Sequence, residues 1–442
     1  MAIRLGSTNF GEIYLGSTKI AEAYYGSVKV FPPGSPVDPY NPLNLPPYTL
    51  RLKFNEGITP SFRYGSGVQV SSSPNVWDLT CNPNAPGSTL DTNSWSEILS
   101  SQTDLIEIMG ANSTGIEKMA SMCSGCRALT SVALFDTRSV ATMSQIFQGC
   151  RVLTSLPLFD TGRVVNFYAM LYECYALTSV PAFDTSSATN MDSMMMMCRG
   201  LTTVPMFNTS NVTTMERMFH GCNQITTVPL YDTSSVTNMH GMFVSCSALT
   251  SVPLFDTSSV TDMSWMFDSC RALTSVPLFD TSSVTDMTNM LINCSSLTSI
   301  PLFNTSNVIN MSGMVSACTG ITTIPLFDTS KVTDTSYMLQ GCTSLTSIPL
   351  IDTSLVTDMR YMFSNCRALR TVPLLDTTSV TKVDSMFWQC YNVESGSLAL
   401  YQQMNAKPMK PSHSGTFFQC GRDTVTGSAE LAQIPSAWKS AS

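Results

Sequence analysis

The sequence predicts an α/β repeat solenoid built from 24-residue units, each a short parallel strand followed by a helix. Cysteines recur every 24 residues without a slip in register, and a column of leucine and isoleucine with the same period begins at Leu105. No unit of this length can bury its own apolar face, so the units must stack. At the parallel-strand spacing of ~4.8 Å, twelve units over residues 103–390 give a solenoid roughly 55 to 60 Å long. The periodic cysteines are Cys126, Cys150, Cys174, Cys198, Cys222, Cys246, Cys270, Cys294, Cys318, Cys342, Cys366 and Cys390.

Two patterns within one unit predict its strand and its helix. The stretch LTSVPLF, residues 273–279, alternates as a short strand does, and it contains recurring apolar columns such as those of Leu273, Leu278 and Phe279. The following apolar residues have the three-and-four spacing of a helical face. Ser283 and Asp286 resemble the capping residues of such a helix. The predicted helical face consists of Val284, Met287, Met290, Leu291 and Cys294.

Composition argues for a folded chain without enzymatic chemistry. The 442 residues are 43% hydrophobic and 12% charged, with a net charge of -8, so no basic field for nucleic acid or an anionic membrane is present. Three histidines offer little material for acid-base catalysis or a metal site, and no common catalytic motif occurs. We expect no enzyme activity, cofactor or metal. The opening MAIRLGSTNF lacks the pattern of a signal peptide, which predicts synthesis in the cytoplasm.

The repeat motif resembles a known family. The stretch FDTSSVTDMSWMFDSC, Phe255–Cys270, is similar to the repeats of BspA-like leucine-rich-repeat proteins, in which FDTS precedes a V-x-x-M-x-x-MF-x-x-C pattern. The resemblance covers about two thirds of the chain. It implies a leucine-rich-repeat type of solenoid and, because the family includes bacterial surface adhesins, a binding function rather than catalysis. A proline column, with Pro157 and Pro373 at its ends, departs from the family pattern.

A second repeat, with a period of ten, occupies residues 1–31. Each copy combines an LGS-type turn with a short strand, and thirty residues of this kind gain order only against a partner or another copy. The segment is similar to N-terminal repeats of phage structural and tail-associated proteins. That resemblance implies attachment to other virion structural proteins, and the repeats would suit a homo-oligomer such as a trimer. The residues expected to attach are Leu5, Tyr14, Leu15, Tyr24 and Tyr25.

The chain outside the repeats divides into a linker and two caps. Seven prolines between positions 32 and 47 favour an extended linker, and YTLRLKF begins a small β-rich cap that covers the first edge of the solenoid. Two predicted helices, Ser397–Ala406 and Ser428–Trp438, close the other end around a degenerate thirteenth unit at FFQC. The predicted divisions are residues 1–31 for attachment, 32–47 for the linker, 48–102 for the β-rich cap, 103–390 for the solenoid and 391–442 for the helical cap.

Three other columns have a structural and a functional interpretation. The cysteine column is expected to be buried core, and the disulfide and metal alternatives are weaker. The column of Asp256 and Asp280 is expected to accept hydrogen bonds from turn N–H groups, with calcium binding as the alternative. The column of Phe255 and Phe279 is expected in the core rather than in an exposed sugar-stacking stripe, because aliphatic residues replace it late in the array.

The positions that vary between units, while the frame stays constant, predict a binding surface. They are outward positions by spacing, and they are rich in tyrosine, tryptophan and arginine, the residue types that dominate binding hot spots. Neutral drift explains variation at these positions but not the aromatic bias. The predicted ligand-binding residues are Tyr168, Tyr172, Arg217, His220, His240, Trp265, Arg271, Tyr337, Arg360, Tyr361, Arg367, Trp388 and Tyr391.

Together these features favour a non-enzymatic phage adhesin. Residues 1–31 would attach it to a virion, as part of a tail or a head-associated fibre, and the variable face of the solenoid would bind a host-surface glycan or protein. One alternative is a bacterial cell-surface adhesin of the same repeat class. Another is a structural decoration or spacer on the virion.

Overall fold

The computed structural model describes residues 38, 40–70, 73, 75–85, 88 and 90–440, together with the backbone of four short strands between residues 14 and 29. These four strands form two antiparallel pairs. Strands β1 (Tyr14–Leu15) and β2 (Thr18–Lys19) form the first pair, and β3 (Tyr24–Tyr25) and β4 (Val28–Lys29) form the second. Four of the predicted attachment residues therefore belong to β1 and β3, and Leu5 lies outside the described residues.

A five-stranded sheet covers the first edge of the solenoid. Its order is β6-β7-β5-β8-β9; the β8–β9 pair is parallel, and the other pairs in this sheet are antiparallel. Leu50, Leu52 and Phe54 alternate along β5 with their side chains fully buried against the first units. The strands are β5 (Thr49–Phe54), β6 (Ser66–Gln69), β7 (Val76–Thr80), β8 (Leu105–Ala111) and β9 (Ser131–Val132).

The end of the proline-rich segment packs on this sheet instead of extending freely as a linker. Leu45 is buried, and its carbonyl oxygen accepts hydrogen bonds from the side-chain amides of Asn41 and Asn112. Tyr40 lies under the guanidinium of Arg138, whose Cζ is 4.9 Å from the ring centroid. Residues 40–47 therefore belong structurally to the cap, and the earlier prolines of the predicted linker lie outside the described residues.

The predicted strand of each unit is mostly an unpaired extended segment. In the first full unit, Ala133 stands where later units have proline, its N–H donates to the carbonyl of Ile108, and β9 forms. Proline has no N–H to donate, so the ladder is interrupted at the equivalent position of most later units. On this side of the stack few backbone hydrogen bonds then join the units, such as that from Thr274 N–H to Thr250 O. The proline column thus explains why the expected strands are missing.

The predicted helix is wrong for the repeats: residues 94–395, all described, contain none. Consecutive turns take its place. Within the turn segment of one unit, the N–H groups of Trp265 and Phe267 donate to Thr288 O and Met290 O of the next unit. The N–H groups between these donors close turns within the unit. For example, Met266 N–H donates to Met263 O.

The spacing between stacked units explains why the repeats contain turns instead of helices. A helix with its side chains is about 10–12 Å across, whereas units joined by backbone hydrogen bonds stack at ~4.8 Å. Here hydrogen bonds join successive units on the turn side itself, and single-residue parallel bridges run from Ser94 to Ser412 through every unit. The turn side must therefore match the spacing of the extended side, which leaves no room for helices.

One continuous core runs from the cap sheet to the C-terminus. The columns of Leu273, Phe279, Met287 and Cys294 are buried, as the sequence predicts. The column of Leu278 is not, because Phe279 N–H donates to Pro277 O and this three-residue turn directs Leu278 outward, where 62% of it is exposed. The exposed column comprises Leu158, Met206, Leu230, Leu254, Leu278, Leu302, Leu326, Leu350 and Leu374.

The cysteine column is core, as predicted. All fifteen cysteines are buried and none is in a disulfide. In the repeats each thiol donates to a backbone carbonyl of the preceding unit, as Cys270 Sγ does to Phe243 O at 3.1 Å. Burial raises the pKa of these thiols, that of Cys174 to about 12. The column is thus a chemically inert part of the frame.

The aspartate and threonine columns satisfy the turns between units. Asp256 Oδ1 accepts hydrogen bonds from the N–H and hydroxyl of Ser258, at 3.1 and 2.7 Å, as the structural interpretation predicts. One residue later in each unit a buried threonine bonds to the next unit, as Thr257 Oγ1 does to Asp280 O at 2.7 Å. These polar side chains are occupied in holding the stack together.

Two α-helices and a short 3-10 helix (Ser436–Trp438) close the C-terminal end. Helix α1 (Ser397–Asn405) is inserted between the twelfth unit and a final one, and α2 (Val425–Gln433) follows it. Glu430 of α2 accepts hydrogen bonds from the N-terminus of α1, at Gly396 N and Leu398 N. The final unit continues the ladder, since Phe387 N–H donates to Thr416 O. No helix in the described part of the chain has the length and apolar character to span a membrane.

Candidate functional site

The predicted binding residues lie on the turn side of the solenoid, which we call the turn face. Each unit places two residues, four positions apart, in the left-handed region of backbone space. Trp265 and Ser269 do so in one unit, both with φ of 59°. Trp265 and Tyr168 are 38% and 39% exposed, and Arg271 and Arg367 are also exposed. The remaining predicted residues are half-buried: Tyr172, Arg217, His220, His240, Tyr337, Arg360, Tyr361, Trp388 and Tyr391.

Several aromatic residues occupy turn positions that disfavour them. Trp265, Tyr337 and Tyr361 have φ values of 59°, 59° and 57°, in the same column where other units have Gly241 and Gly313. A left-handed conformation costs an ordinary residue roughly 1–2 kcal/mol, and a bulky side chain there is uncommon. Backbone strain of this kind is concentrated at functional sites. Neutral drift would favour glycine and asparagine in this column, so the aromatic residues require another explanation.

Replacing Trp265 is expected to leave stability nearly unchanged. Asparagine tolerates the left-handed conformation, and the relief of strain offsets the packing lost by a partly exposed ring. We expect Trp265→Asn to change the free energy of unfolding by less than about 1 kcal/mol. The matched variant Phe267→Ala, at a fully buried position in the same turn, should cost about 3–5 kcal/mol. Urea unfolding of the two variants compares them, and equal losses would show that Trp265 serves the frame.

A first cluster on the turn face surrounds Tyr175. The guanidinium carbons of Arg151 and Arg199, from the units on either side, lie 5.2 and 4.8 Å from its ring centroid. Arg151 Nη2 also forms an ion pair with Glu173 Oε2 at 2.7 Å. Burial raises the pKa of Glu173, but the hydrogen bonds and charge of Arg151, together with hydrogen bonds from Tyr175 and Tyr172, lower it overall. Tyr172, of the predicted set, neighbours this cluster, and burial followed by the charge of Glu173 raises its pKa.

A second cluster connects Arg217 and His240 across consecutive units. Ser264 Oγ donates to Asp262 Oδ1 at 2.6 Å, so it accepts from His240 Nδ1 at 2.7 Å. His240 Nε2 is then the acceptor for Arg217 Nη2 at 3.2 Å. The hydroxyl of Ser264 is buried and donates to a carboxylate, so this chain of polar groups does not supply a catalytic nucleophile.

His220 lies beside the second cluster without joining its hydrogen bonds. Burial and then the charge of Arg217 lower the pKa of its imidazole. Its Nδ1 is buried without a hydrogen-bond partner in the described structure.

A third cluster lies at the C-terminal end of the turn face. The rings of Tyr337 and Tyr361 stack with centroids 4.9 Å apart, and those of Trp388 and Phe418 stack at 4.1 Å. Between the two stacks lies a depression of about 180 Å³. Tyr361 and Trp388 both line it. The other lining residues are Gln340, Ser364, Asn365 and Ser385.

Charged residues beside this depression are paired. Arg360 and Lys382 both contact Asp358 Oδ2, at 2.8 and 3.2 Å. Burial raises the pKa of Asp358, but the hydrogen bonds from Arg360 and Lys382 and the charge of Arg360 together lower that pKa overall. Tyr391 lies under Arg422 and Arg367, whose Cζ atoms are 4.2 and 5.8 Å from its ring centroid.

The structure thus groups the predicted residues unevenly. It brings together Arg217 with His240, Tyr337 with Tyr361, and Arg367 with Tyr391, while Trp265 and Tyr168 lie outside the three clusters. The clusters also contain residues outside the predicted ligand-binding set, although most of them stand at the same variable positions of the units. Phe418 was missed because the insertion of α1 displaces it by 30 residues from Trp388, instead of 24. The cluster residues outside the predicted set are Glu173, Tyr175, Arg199, Asp262, Ser264, Gln340, Ser364, Asn365, Ser385 and Phe418.

The fold and this surface define a class of protein: a repeat solenoid with a constant buried frame and a variable turn face. The chain belongs to the family described as "Mycoplasma protein of unknown function, DUF285". The family model matches in overlapping segments that run without a gap from residue 95 to 416, more than half of the chain. The segments are residues 95–205, 200–298, 223–324, 272–374 and 311–416.

Comparison with solved structures finds distant similarity. A leucine-rich repeat protein from Eubacterium ventriosum is 17% identical, with a TM-score of 0.38, over 70% of this chain and 81% of that one. The protein in a TLR13–ssRNA13 complex is 12% identical, with a TM-score of 0.25, over 70% of this chain and 52% of that one. No curated protein matches the chain. At these TM-scores neither structure bears on the function of this chain.

Proposed function

We propose that this chain is a non-enzymatic receptor-binding protein of a phage virion, whose turn face binds a glycan or protein on the host surface. The observation that carries the proposal is the set of exposed or half-exposed aromatic residues at left-handed turn positions, Trp265, Tyr337 and Tyr361. The frame gains little from them there, whereas large rigid aromatic side chains are the usual anchors of binding interfaces.

The residues that hold the units together are distinct from the residues of the turn face, and this favours a binding function over catalysis. Cysteine, methionine and threonine columns make the contacts between units, so turn-face residues can change without loss of the fold. The polar cluster at His240 has its hydroxyl directed to a carboxylate and lacks an activated nucleophile. Solenoids of this kind present extended binding surfaces.

Attachment to a virion is the less direct part of the proposal. It rests on the similarity of the ten-residue repeats to phage segments and on their separation from the solenoid by prolines. The paired strands β1–β2 and β3–β4 would provide the contacts with other virion proteins. We place the protein on a tail or a head-associated fibre, with a homo-oligomer such as a trimer as its assembled state.

The test combines location with binding. Antibodies against the full chain should label phage particles, and the fluorescently labelled full chain should bind host cells but not unrelated bacteria. Labelling of a bacterial envelope in cells without phage would favour the cell-surface adhesin. Labelled particles together with a chain that binds none of the host cells would favour a decoration or spacer.

A further inference from the structure

The depression between Tyr361 and Trp388 combines two aromatic rings that each have one face without an aromatic partner. Tyr361 stacks on Tyr337 of the preceding unit, and the next position in its column is Ser385. Trp388 stacks on Phe418 of the following unit, and the preceding position in its column is Ser364. The uncovered face of each ring therefore borders the same depression, which both residues line.

The floor and rim of the depression differ in chemistry from its aromatic walls. Ser364 and Ser385 are 2% and 6% exposed and leave the space open because they are small. Asn365 donates to Ser364 Oγ at 3.3 Å, which leaves its amide oxygen as an acceptor. The side-chain amide of Gln340 has no partner in the described structure. Donors and acceptors thus stand beside two ring faces.

The lining carries no acidic or basic side chain. Arg360, the nearest cation in sequence, is held by Asp358. A ligand with a phosphate or carboxylate would find no counter-charge here. A purely apolar ligand would leave the amides unpaired, which is unfavourable. The arrangement fits a neutral molecule with an apolar C–H face for an aromatic ring and hydroxyl groups for the amides.

We propose that this depression binds a neutral sugar ring of a glycan. The inference rests on the proposed function and names the ligand class for one part of the turn face. The depression has a volume of about 180 Å³, which is smaller than a pocket for a drug-sized ligand and is suited to a single sugar ring. Tyr361 and Trp388 would contact the C–H faces of the sugar, and Gln340 and Asn365 would bond its hydroxyl groups.

The test is a glycan array probed with the full chain and with three variants. We expect binding to one or more neutral glycans, and affinity about tenfold weaker for Trp388→Ala because a ring face is lost. Gln340→Ala, which leaves the aromatic stacks intact, should also weaken binding and guards against misfolding of the first variant. Leu278→Ser, in the exposed leucine column away from the depression, should bind the array within about twofold of the unchanged chain.

The outcomes separate this inference from the proposed function. If the chain binds host cells but no neutral glycan, the sugar site is wrong and a protein receptor is favoured. If Trp388→Ala and Gln340→Ala bind a glycan as well as the unchanged chain, the sugar site is also wrong, since the ring binds elsewhere. If the glycan is bound with the expected losses but host cells are not, the sugar site stands and the receptor-binding function fails.

Discussion

Raising the pH above about 9 is expected to unfold the solenoid, because its core contains fifteen buried thiols. Burial raises the pKa of Cys174, Cys222 and Cys390 to about 12, whereas an unfolded cysteine has a pKa of about 8.5. Between these values the unfolded chain loses protons that the folded chain retains, so stability falls as the pH rises. Each such thiol removes about 1.4 kcal/mol per pH unit. Circular dichroism across pH 8 to 12, in the presence of a reductant, measures the transition.

A variant with fewer thiols provides the control. Three thiols of the cysteine column are replaced by a residue that does not titrate in the variant Cys222→Ala/Cys246→Ala/Cys270→Ala. We expect its free energy of unfolding to fall by about 4 kcal/mol less per pH unit above pH 9 than that of the unchanged chain. The same pH dependence in both proteins would mean that the thiols are not buried as described.

Deleting one whole unit is expected to preserve the fold, whereas deleting half a unit should destroy it. Removal of residues 271–294 joins Cys270 to Ser295, and every column continues in register. Each unit contacts mainly its neighbours, so the shortened solenoid should lose only one unit's share of stability. Removal of residues 271–282 leaves twelve residues to complete one turn of the stack. It also interrupts the leucine and phenylalanine columns at that point and exposes the core.

Gel filtration and thermal unfolding compare the two deletions. The whole-unit variant should remain monodisperse and melt within about 5 °C of the unchanged chain. The half-unit variant should aggregate or lose its cooperative transition, because two open solenoid edges face solvent. A half-unit variant that melts like the whole-unit variant would contradict a core with a fixed 24-residue register.

The frame could be predicted from the sequence because period and burial follow directly from recurrence. The columns of Leu273, Met287 and Cys294 recur with one spacing, and a residue repeated at each turn of a stack is either core or a required turn position. Their burial is confirmed, as is that of the cysteines as free thiols. The structural interpretation of the aspartate and phenylalanine columns is confirmed for the same reason.

The helix could not be distinguished from turns by periodicity. Consecutive turns with a left-handed residue every four positions direct Met263, Met266, Phe267 and Cys270 inward, with the same spacing of three and four that a helix gives. One signal was available in the sequence: Gly241 and similar glycines recur at positions that a helix interior disfavours.

The turn face was predicted as a variable surface, but its clusters were not. Stacking of Tyr337 on Tyr361 follows from their 24-residue separation and could have been foreseen. The depression joins three neighbouring columns, and its C-terminal wall is supported by Phe418 across an inserted helix. Which columns adjoin depends on the backbone path through the turns, and the helix prediction gave a different path.

The central claim is that the turn face, and not the opposite exposed leucine column, recognises the host. The most direct measurement is host-cell binding by the full chain and by two triple variants of matched size. The first variant changes Trp265, Tyr361 and Trp388 to Ala, and the second changes Leu254, Leu278 and Leu302 to Ser. All six positions are at least partly exposed, so both proteins should remain folded.

We expect the turn-face variant to lose at least about a hundredfold in affinity, since aromatic hot-spot residues commonly contribute 2 kcal/mol or more each. The leucine variant should bind as the unchanged chain does. Loss of binding in the leucine variant, with full binding by a folded turn-face variant, would contradict the account and assign recognition to the other side of the solenoid.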